Sequence, residues 1–490
     1  MQNYNLIKIT SDNLRAVIRQ ELVANAQLLS IFANKADPLF CLNYVLLKEK
    51  TIFIYQIEVV KQFPSIATLW PASKLYEREI CDMYGLFAEG YDNLRPIFLF
   101  PENWPSDIHP LVTIEQKPRF EKSSEYKYTK VAGEGVYQIL VGPIHAGIIE
   151  PGHFRFSLNG ESIIMLENRL GWKHRGIEKL AEGKTLSEFL KVAERISGDN
   201  NVNIGIAYLQ AVEYMLGLEL NEDIKNSRMI LAELERIWSH VRDFAWMLMD
   251  IAYTLPAQRL FALQEELLRL NKQVTGSRFM FGALSLGGVE IGNTATIASV
   301  LQKVSKAIKE ATLNLGNSFS ALDRMQGTGR IFDTTAKELA LTGISARASG
   351  VFRDTRIDLP YLNYQEVKLG SAGMQTDGDV DARLRCRISE IFSSIEMILE
   401  LINKTKDTSY THREKLEIKK RSAVGNAETP RGNAFFYIET DANQKISRLK
   451  YTDPSFRNWP ALQYAVLGDI VADFPLINKS FNLSYAGNDL

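Results

Sequence analysis

A thiolate metal cluster, a helical zinc site and a phosphate-cradling loop each leave a characteristic spacing in a sequence, and none of the three is present here. The cysteines are Cys41, Cys81 and Cys386, no two within CxxC spacing, so a disulfide framework or a cysteine-ligated cluster has no material. There is no HExxH. His153, in "PGHFRF", and His240, inside a helical pattern, have no second ligand four residues on, and both read as core or groove histidines. GxxxxGK[ST] is missing, and no GxGxxG follows a strand-like run, so nucleotide binding by those loops has no support. One stretch does interrupt the pattern around it. Residues 192–217 read as one continuous helix broken by "SGDNNVN". Ser, Asp and Asn satisfy free N–H groups at a helix start, so capping explains the break, with Asp199, Asn201 and Asn203 adding side-chain hydrogen bonds.

The elements that must position such residues follow from periodicity. The chain has 490 residues, 46% hydrophobic and 23% charged, enough for two or three domains with a sizeable core. Lys plus Arg number 57 against 58 Asp plus Glu, so no overall field favours nucleic acid or an acidic membrane. No signal peptide opens the chain, few cysteines suit a reducing cytoplasm, and "FAWMLMDIAYTL" (244–255) carries Asp250 and is too short to span a bilayer. Residues 1–112 read as a small α/β domain. In it "NLRAVIRQELVANAQLLSIFA" predicts a helix over 13–33, and "DPLFCLNYVLLKEKTIFIYQIEV" predicts strand, turn, strand. The polar stretch 113–130 is a linker candidate, and 131–490 forms a mainly helical body with short β sections at both ends. Helices are predicted near 183–217, 221–253, 256–276, 291–322 and 379–405. Ile230, Leu234, Ile237, Trp238 and Val241 make a buried stripe in the second, and Pro256 opens the third. The block "YEREICDMYGL" mixes Glu77, Arg78, Glu79 and Asp82 with Ile80, Met83 and Leu86, which suits a docked surface or a solvated charged helix.

Separated blocks, in order, carry a family likeness. "YEREICDMYGL", "LRPIFLFPENWP" and "HPL" resemble the small hydrophilic subunit of respiratory complex I. "GPIHAGIIEPGHFRF", "HRGIEKLAEGKT", "GSRFMFGALSLGGV", "ARASGVFRDTRIDLPY", "GDVDARLRCRISEIFSSIE", "AETPRGNAFFYI" and "YTDPSF" resemble the large subunit shared by complex I and membrane-bound [NiFe] hydrogenases. The fused order is most similar to formate hydrogenlyase and hydrogenase-4 type large subunits. The resemblance implies an α+β chain: an α/β docking domain, then a [NiFe]-hydrogenase large-subunit-like helical domain. It tips the "YEREICDMYGL" block toward an interface with another chain.

In those hydrogenases two CxxC pairs hold nickel and iron, and soft thiolates suit that task. The resemblance places the pairs on Ser197 and Asn200 and on Ser455 and Asn458, which implies no [NiFe] site and no metal here. The tail after Asp469 is then expected to stay and pack. Glu150 falls where the hydrogenases place a proton-relaying carboxylate, Arg431 where an arginine overhangs the metals, and Asp453 with Pro454 before the second pair. These outer residues form either a proton path or a structural ion network. In the complex I branch a histidine and a tyrosine bind the quinone head. His145 matches the first histidine of that loop, but the quinone-binding positions fall on Ile149 and Gly198, so a quinone would have to be held from a neighbouring subunit. His174 and Arg175, with Glu178 and Lys179, form a charge relay or a salt-bridged corner.

Two functions follow from the resemblance. One is a peripheral subunit of a hydrogenase-4 or complex I-like oxidoreductase at the cytoplasmic face of the inner membrane, coupling electron transfer to ion translocation. The other is a redox-inactive scaffold of such a complex. Either way the chain binds no cofactor of its own. Iron–sulfur clusters lie on partners, namely a complex I-type small iron–sulfur subunit and a ferredoxin-like subunit, beside antiporter-like membrane subunits. Quinone and NAD binding stay open, and nucleic acid is not a partner.

Overall fold

The structure, a computed structural model, describes residues 3–112, 124–145, 149–367, 369, 373–405, 408–410 and 417–490. The linker candidate is described only from residue 124. The first sheet has strands β1 (Asn5–Lys8), β2 (Gln27–Ala36), β3 (Leu39–Lys48) and β4 (Thr51–Val59), in the order β1-β4-β3-β2, with β1 parallel to β4 and the rest antiparallel. Helices α1 (Leu14–Val23) and α2 (Lys74–Tyr84) cover one face.

The helix predicted over 13–33 is therefore half wrong. It ends at Val23, Asn25 turns the chain at φ 56°, and residues from Gln27 onward are strand. The reason is that β2 is buried on both sides. Leu28 and Ile31 face the α1 and α2 core, while Leu29 and Phe32 face Val424, Phe435 and Tyr437 of a second sheet. A strand covered on both faces is apolar at nearly every position, and such a run fits a helical period as well as a strand.

That second sheet is an antiparallel meander near the end of the chain, Ser422–Thr429, Gly432–Thr440 and Ile446–Thr452. On its other side lies α3 (Asn201–Leu216), so close that a Cβ on Gly425 would collide with the Ala207 carbonyl oxygen. Gly425→Ala must lift the helix off the sheet. The expected loss is about 1–3 kcal/mol, read as a lower urea midpoint at unchanged slope; a midpoint equal to wild type would refute this contact.

The helical body is built around α4 (Glu222–Asp250), buried along most of its 29 residues, with α5 (Thr254–Thr275) and α7 (Val380–Ile402) against it and α6 (Ala295–Gly316) packed on those two. These match the predicted helices within a few residues. The predicted stripe is there, and so are Arg228, Glu233, Glu235, Arg236, His240 and Asp243, all buried. A third sheet, Val136–Val141, His153–Asn159 and Ser162–Arg169, is antiparallel, and its first loop holds His145 and Glu150. Helices α8 (Pro454–Ala465), α9 (Phe474–Phe481) and α10 (Tyr485–Asp489) close the chain against the body. Among the described residues no helix is long and apolar enough to cross a membrane.

Candidate functional site

The predicted break is real. A short helix, Leu186–Ala193, stops before it, and α3 starts at Asn201. Its cap differs from the sequence reading, because Asn200, in the capping position, makes no side-chain capping bond. The Glu235 carboxylate of α4 does so instead. It accepts the backbone N–H groups of Asn201 (2.6 Å), Val202 (2.8 Å) and Asn203 (3.0 Å) and the Asn203 side-chain amide (2.7 Å). A carboxylate at a helix N-terminus complements both the free donors and the dipole. Burial pushes the Glu235 pKa up to about 7 against the pull of those N–H groups. The local rule failed because a partner distant in sequence supplied the acceptor.

Asp199 has a different task from capping. Arg431 donates to both its oxygens, at 3.0 and 2.6 Å, and Arg242 of α4 donates at 2.7 Å. Burial alone would raise the Asp199 pKa, but the two guanidiniums overcome it and hold the carboxyl far below the usual range. They line a cavity of about 330 Å³ together with Glu150, Ser197, Lys479, Ser484 and Tyr485.

Of the four positions that the resemblance assigns to the hydrogenase ligands, Ser197 lines this cavity. Ser197 and the Ser484 hydroxyl lie 2.9 Å apart, Ser197 also donates to Asp199 (3.0 Å), and the Ser484 N–H donates to the Ser455 hydroxyl (3.0 Å). The closing segment thus stands between Ser197 and Ser455. Asn458 is engaged by backbone: it accepts from Thr342 N–H (3.0 Å) and donates to the carbonyls of Thr342 (3.1 Å) and Arg431 (3.2 Å). Asn200 is buried, and neither its oxygen nor its nitrogen has a partner among the described residues.

Other predicted residues separate into neighbourhoods. Glu150 reaches the cavity rim, accepts the Ala486 N–H (3.0 Å) and pairs with Lys173 (3.5 Å), with no bond to Arg431. Asp453 caps α8 through Ser455 N–H (2.8 Å) and accepts the Tyr451 hydroxyl (2.8 Å). It shares no hydrogen bond with Glu150 or Arg431. His145 Nε2 bonds the Gly152 carbonyl (2.7 Å), shaping its own loop, and Ile149 lines the cavity. His174 Nδ1 meets the Asp489 carbonyl (2.7 Å) while its ring stacks on Phe98, and burial lowers its pKa. Arg175 donates to the carbonyls of Ile196 (2.6 Å) and Ala486 (2.9 Å), tying the break to the closing segment. Glu178 instead pairs with Arg448 (2.6 Å) and Lys450 (3.0 Å), and Lys179 with Glu182 (2.6 Å). Among the described residues no hydrogen bond or ion pair joins these four to one another.

His153 Nδ1 lies 3.3 Å from the Gly142 carbonyl, and His240 Nε2 is 2.9 Å from Glu390. Burial lowers both pKa values, in His240 against the pull of Glu390. The "YEREICDMYGL" carboxylates also face inward. Glu77 accepts from Ser65, Ile66 and Ser73, Asp82 accepts the N–H groups of Ile97 and Phe98, and Glu79 pairs with Lys450. This block docks on its own chain, because the second sheet supplies the countercharge.

Sequence reasoning missed Arg242, Glu235, Lys479 and Ser484 as site residues. A basic and an acidic residue inside the apolar pattern of α4 was the available signal.

Residues 7–115 match the family "Respiratory-chain NADH dehydrogenase, 30 Kd subunit", and 250–424 with 410–489 match the "49 Kd subunit". The chain is 31% identical to hydrogenase-4 component G of Escherichia coli K12 over 88% of its length and 76% of that protein. The chain belongs to the complex I 49 kDa subunit family, fused behind a 30 kDa-subunit domain. The fused subunit is also 29% identical to formate hydrogenlyase subunit 5 of E. coli K12, over 94% of this chain and 84% of that protein. To an NADH-quinone oxidoreductase subunit of Bacteroides thetaiotaomicron it is 26% identical, over 88% and 85%. Its fold matches a chain of the membrane-bound sulfane sulfur reductase, an archaeal respiratory membrane complex, with TM-score 0.67, 22% identity, and coverage of 74% of this chain and all of that one.

Proposed function

We propose that the fused subunit is the peripheral, cavity-bearing subunit of a membrane-bound oxidoreductase complex, and that its cavity works without [NiFe] chemistry. The observation that carries this is the donor set. Ser197 and Ser455 are hydroxyls joined through Ser484, Asn458 is held by backbone, and Asn200 is a neutral amide. Hydroxyl and amide oxygens do not replace four thiolates for nickel and iron, so the residues present do not fit that group. Membership of a family that includes hydrogenase and NADH-quinone oxidoreductase subunits supports the complex. In this reading an iron–sulfur small subunit of the complex I type and a ferredoxin-like subunit bring electrons to the cavity, and antiporter-like membrane subunits move ions. The subunit sits at the cytoplasmic face, and quinone, if used, is held from a neighbouring chain.

Nickel analysis of the purified complex tests the first part: nickel below about one-tenth per chain is expected, and stoichiometric nickel would overturn the reading. For the second part, Glu150→Gln in the intact complex is expected to cut substrate-driven ion transport severalfold with assembly preserved. Unchanged transport would favour the scaffold reading, which the closed Asp199–Arg431 pair supports.

A further inference from the structure

One wall of the cavity offers donors with nothing to donate to. Lys479 lines it, lies 5.1 Å from the Trp246 ring centroid, and has no carboxylate within ion-pair distance among the described residues. Asp250 and, less strongly, Asp243 act on it from α4 without touching it, against the burial that lowers its pKa. The Tyr485 side chain lines the same wall, while its hydroxyl is buried and makes no well-formed hydrogen bond, with Asn478 as its polar neighbour. Opposite stand Arg242 and Arg431, with Asp199 between them and Asp243 on the far edge of Arg242 at 3.2 Å. Glu150 at the rim is already engaged by Lys173 and the Ala486 N–H.

Three cations therefore line a space with two carboxylates, Asp199 between the arginines and Glu150 at the rim, and of the three only Lys479 has no carboxylate in contact among the described residues. An ammonium has donors and no acceptor, and charge-assisted bonds to an oxyanion gain strength beside low-dielectric walls. A ligand without an acceptor oxygen would leave the Lys479 ammonium with no direct partner in the cavity. We infer that this cavity binds a small oxyanion, held by Lys479 on one side and by the guanidinium edges of Arg242 and Arg431 on the other. The inference deepens the reading above, in which this cavity is the reaction site, and rests on it for its meaning in turnover; the binding itself depends only on these side chains.

The test is calorimetric titration of the full chain with inorganic sulfate at constant ionic strength, set by chloride. Saturable binding at one site per chain is expected. Lys479→Met should weaken it by at least about tenfold, the scale of one lost charged contact. Lys479→Arg should restore most of it, and Lys191→Met, on the exposed face of Leu186–Ala193, should leave it unchanged. Near-UV circular dichroism and the unfolding midpoint show that each variant folds. Absence of saturable binding in wild type, or equal losses in Lys479→Met and Lys191→Met, would overturn the inference. So would binding of a short-chain quinone with the same affinity in wild type and Lys479→Met while sulfate fails to compete. Co-purification of Lys479→Met with the membrane complex at wild-type level separates this outcome from failure of the complex reading, which binding to the isolated chain does not touch.

Discussion

Replacing Glu235 by Ala is expected to lower the unfolding free energy by about 3–5 kcal/mol at pH 5, because it strands three backbone N–H groups in the core and leaves the Asn203 amide only the Ala232 carbonyl. No neighbour can take over, since α3 begins at Asn201 and Asn200 makes no capping bond. The pH dependence gives a second, independent readout. The folded-state pKa lies near 7 against 4.5 for an ordinary glutamate, so between those values the native state holds more protons than the unfolded one. Stability then falls as pH rises through this window, by up to about 3 kcal/mol at 1.4 kcal/mol per unit. The variant loses that slope, so its deficit should be largest at pH 5 and shrink by pH 8. Urea titrations at the two pH values measure this, and amide exchange at Asn201, Val202 and Asn203 should rise first. A deficit that grows with pH would contradict the assignment.

Asp199→Asn is expected to cost about 2–3 kcal/mol at pH 7. Arg431 then loses its paired carboxylate and Arg242 keeps only Asp243, and that remaining acid, with the quarter of Asp199 that faces the cavity, keeps the loss below that of a fully buried pair. The sign is opposite to that of Glu235. A carboxyl whose folded pKa is depressed contributes stability above its unfolded value of about 3.9, and that contribution disappears as pH falls below it. The gap between variant and wild type should therefore be full at pH 7 and close on acidification toward pH 2. If the gap is constant from pH 7 to pH 2, the two guanidiniums are not what holds Asp199. The same variant frees both arginines toward the cavity, so sulfate affinity should rise rather than fall.

Much of the architecture was legible because it is written in local periods. The helices of the body are amphipathic or long enough to mark themselves, and β3 and β4 carry β-branched and aromatic runs with a turn between. The errors have one cause. Where an element is covered on all sides, as in β2, or where charge is satisfied from far away in sequence, as at Glu235, Glu79 and Glu178, the local pattern describes the segment but not its partner. The block 74–84 shows this clearly: charge at half its positions suggests a wet or docked surface, yet Glu77, Glu79 and Asp82 are each used inside the chain.

By itself the sequence determined the class of fold, the order of its two parts, the absence of thiolate pairs, and the polar break between two helices, since composition and spacing are properties of neighbouring residues. Only the tertiary structure decided what the break is for. It brought Arg242 and Arg431, which follow 43 and 232 residues later in the chain, onto Asp199, and set Ser484 between Ser197 and Ser455. It left Lys479 and Tyr485 facing a cavity, because burial and long-range ion pairing are settled by which surfaces close over a residue, and no window of sequence contains them.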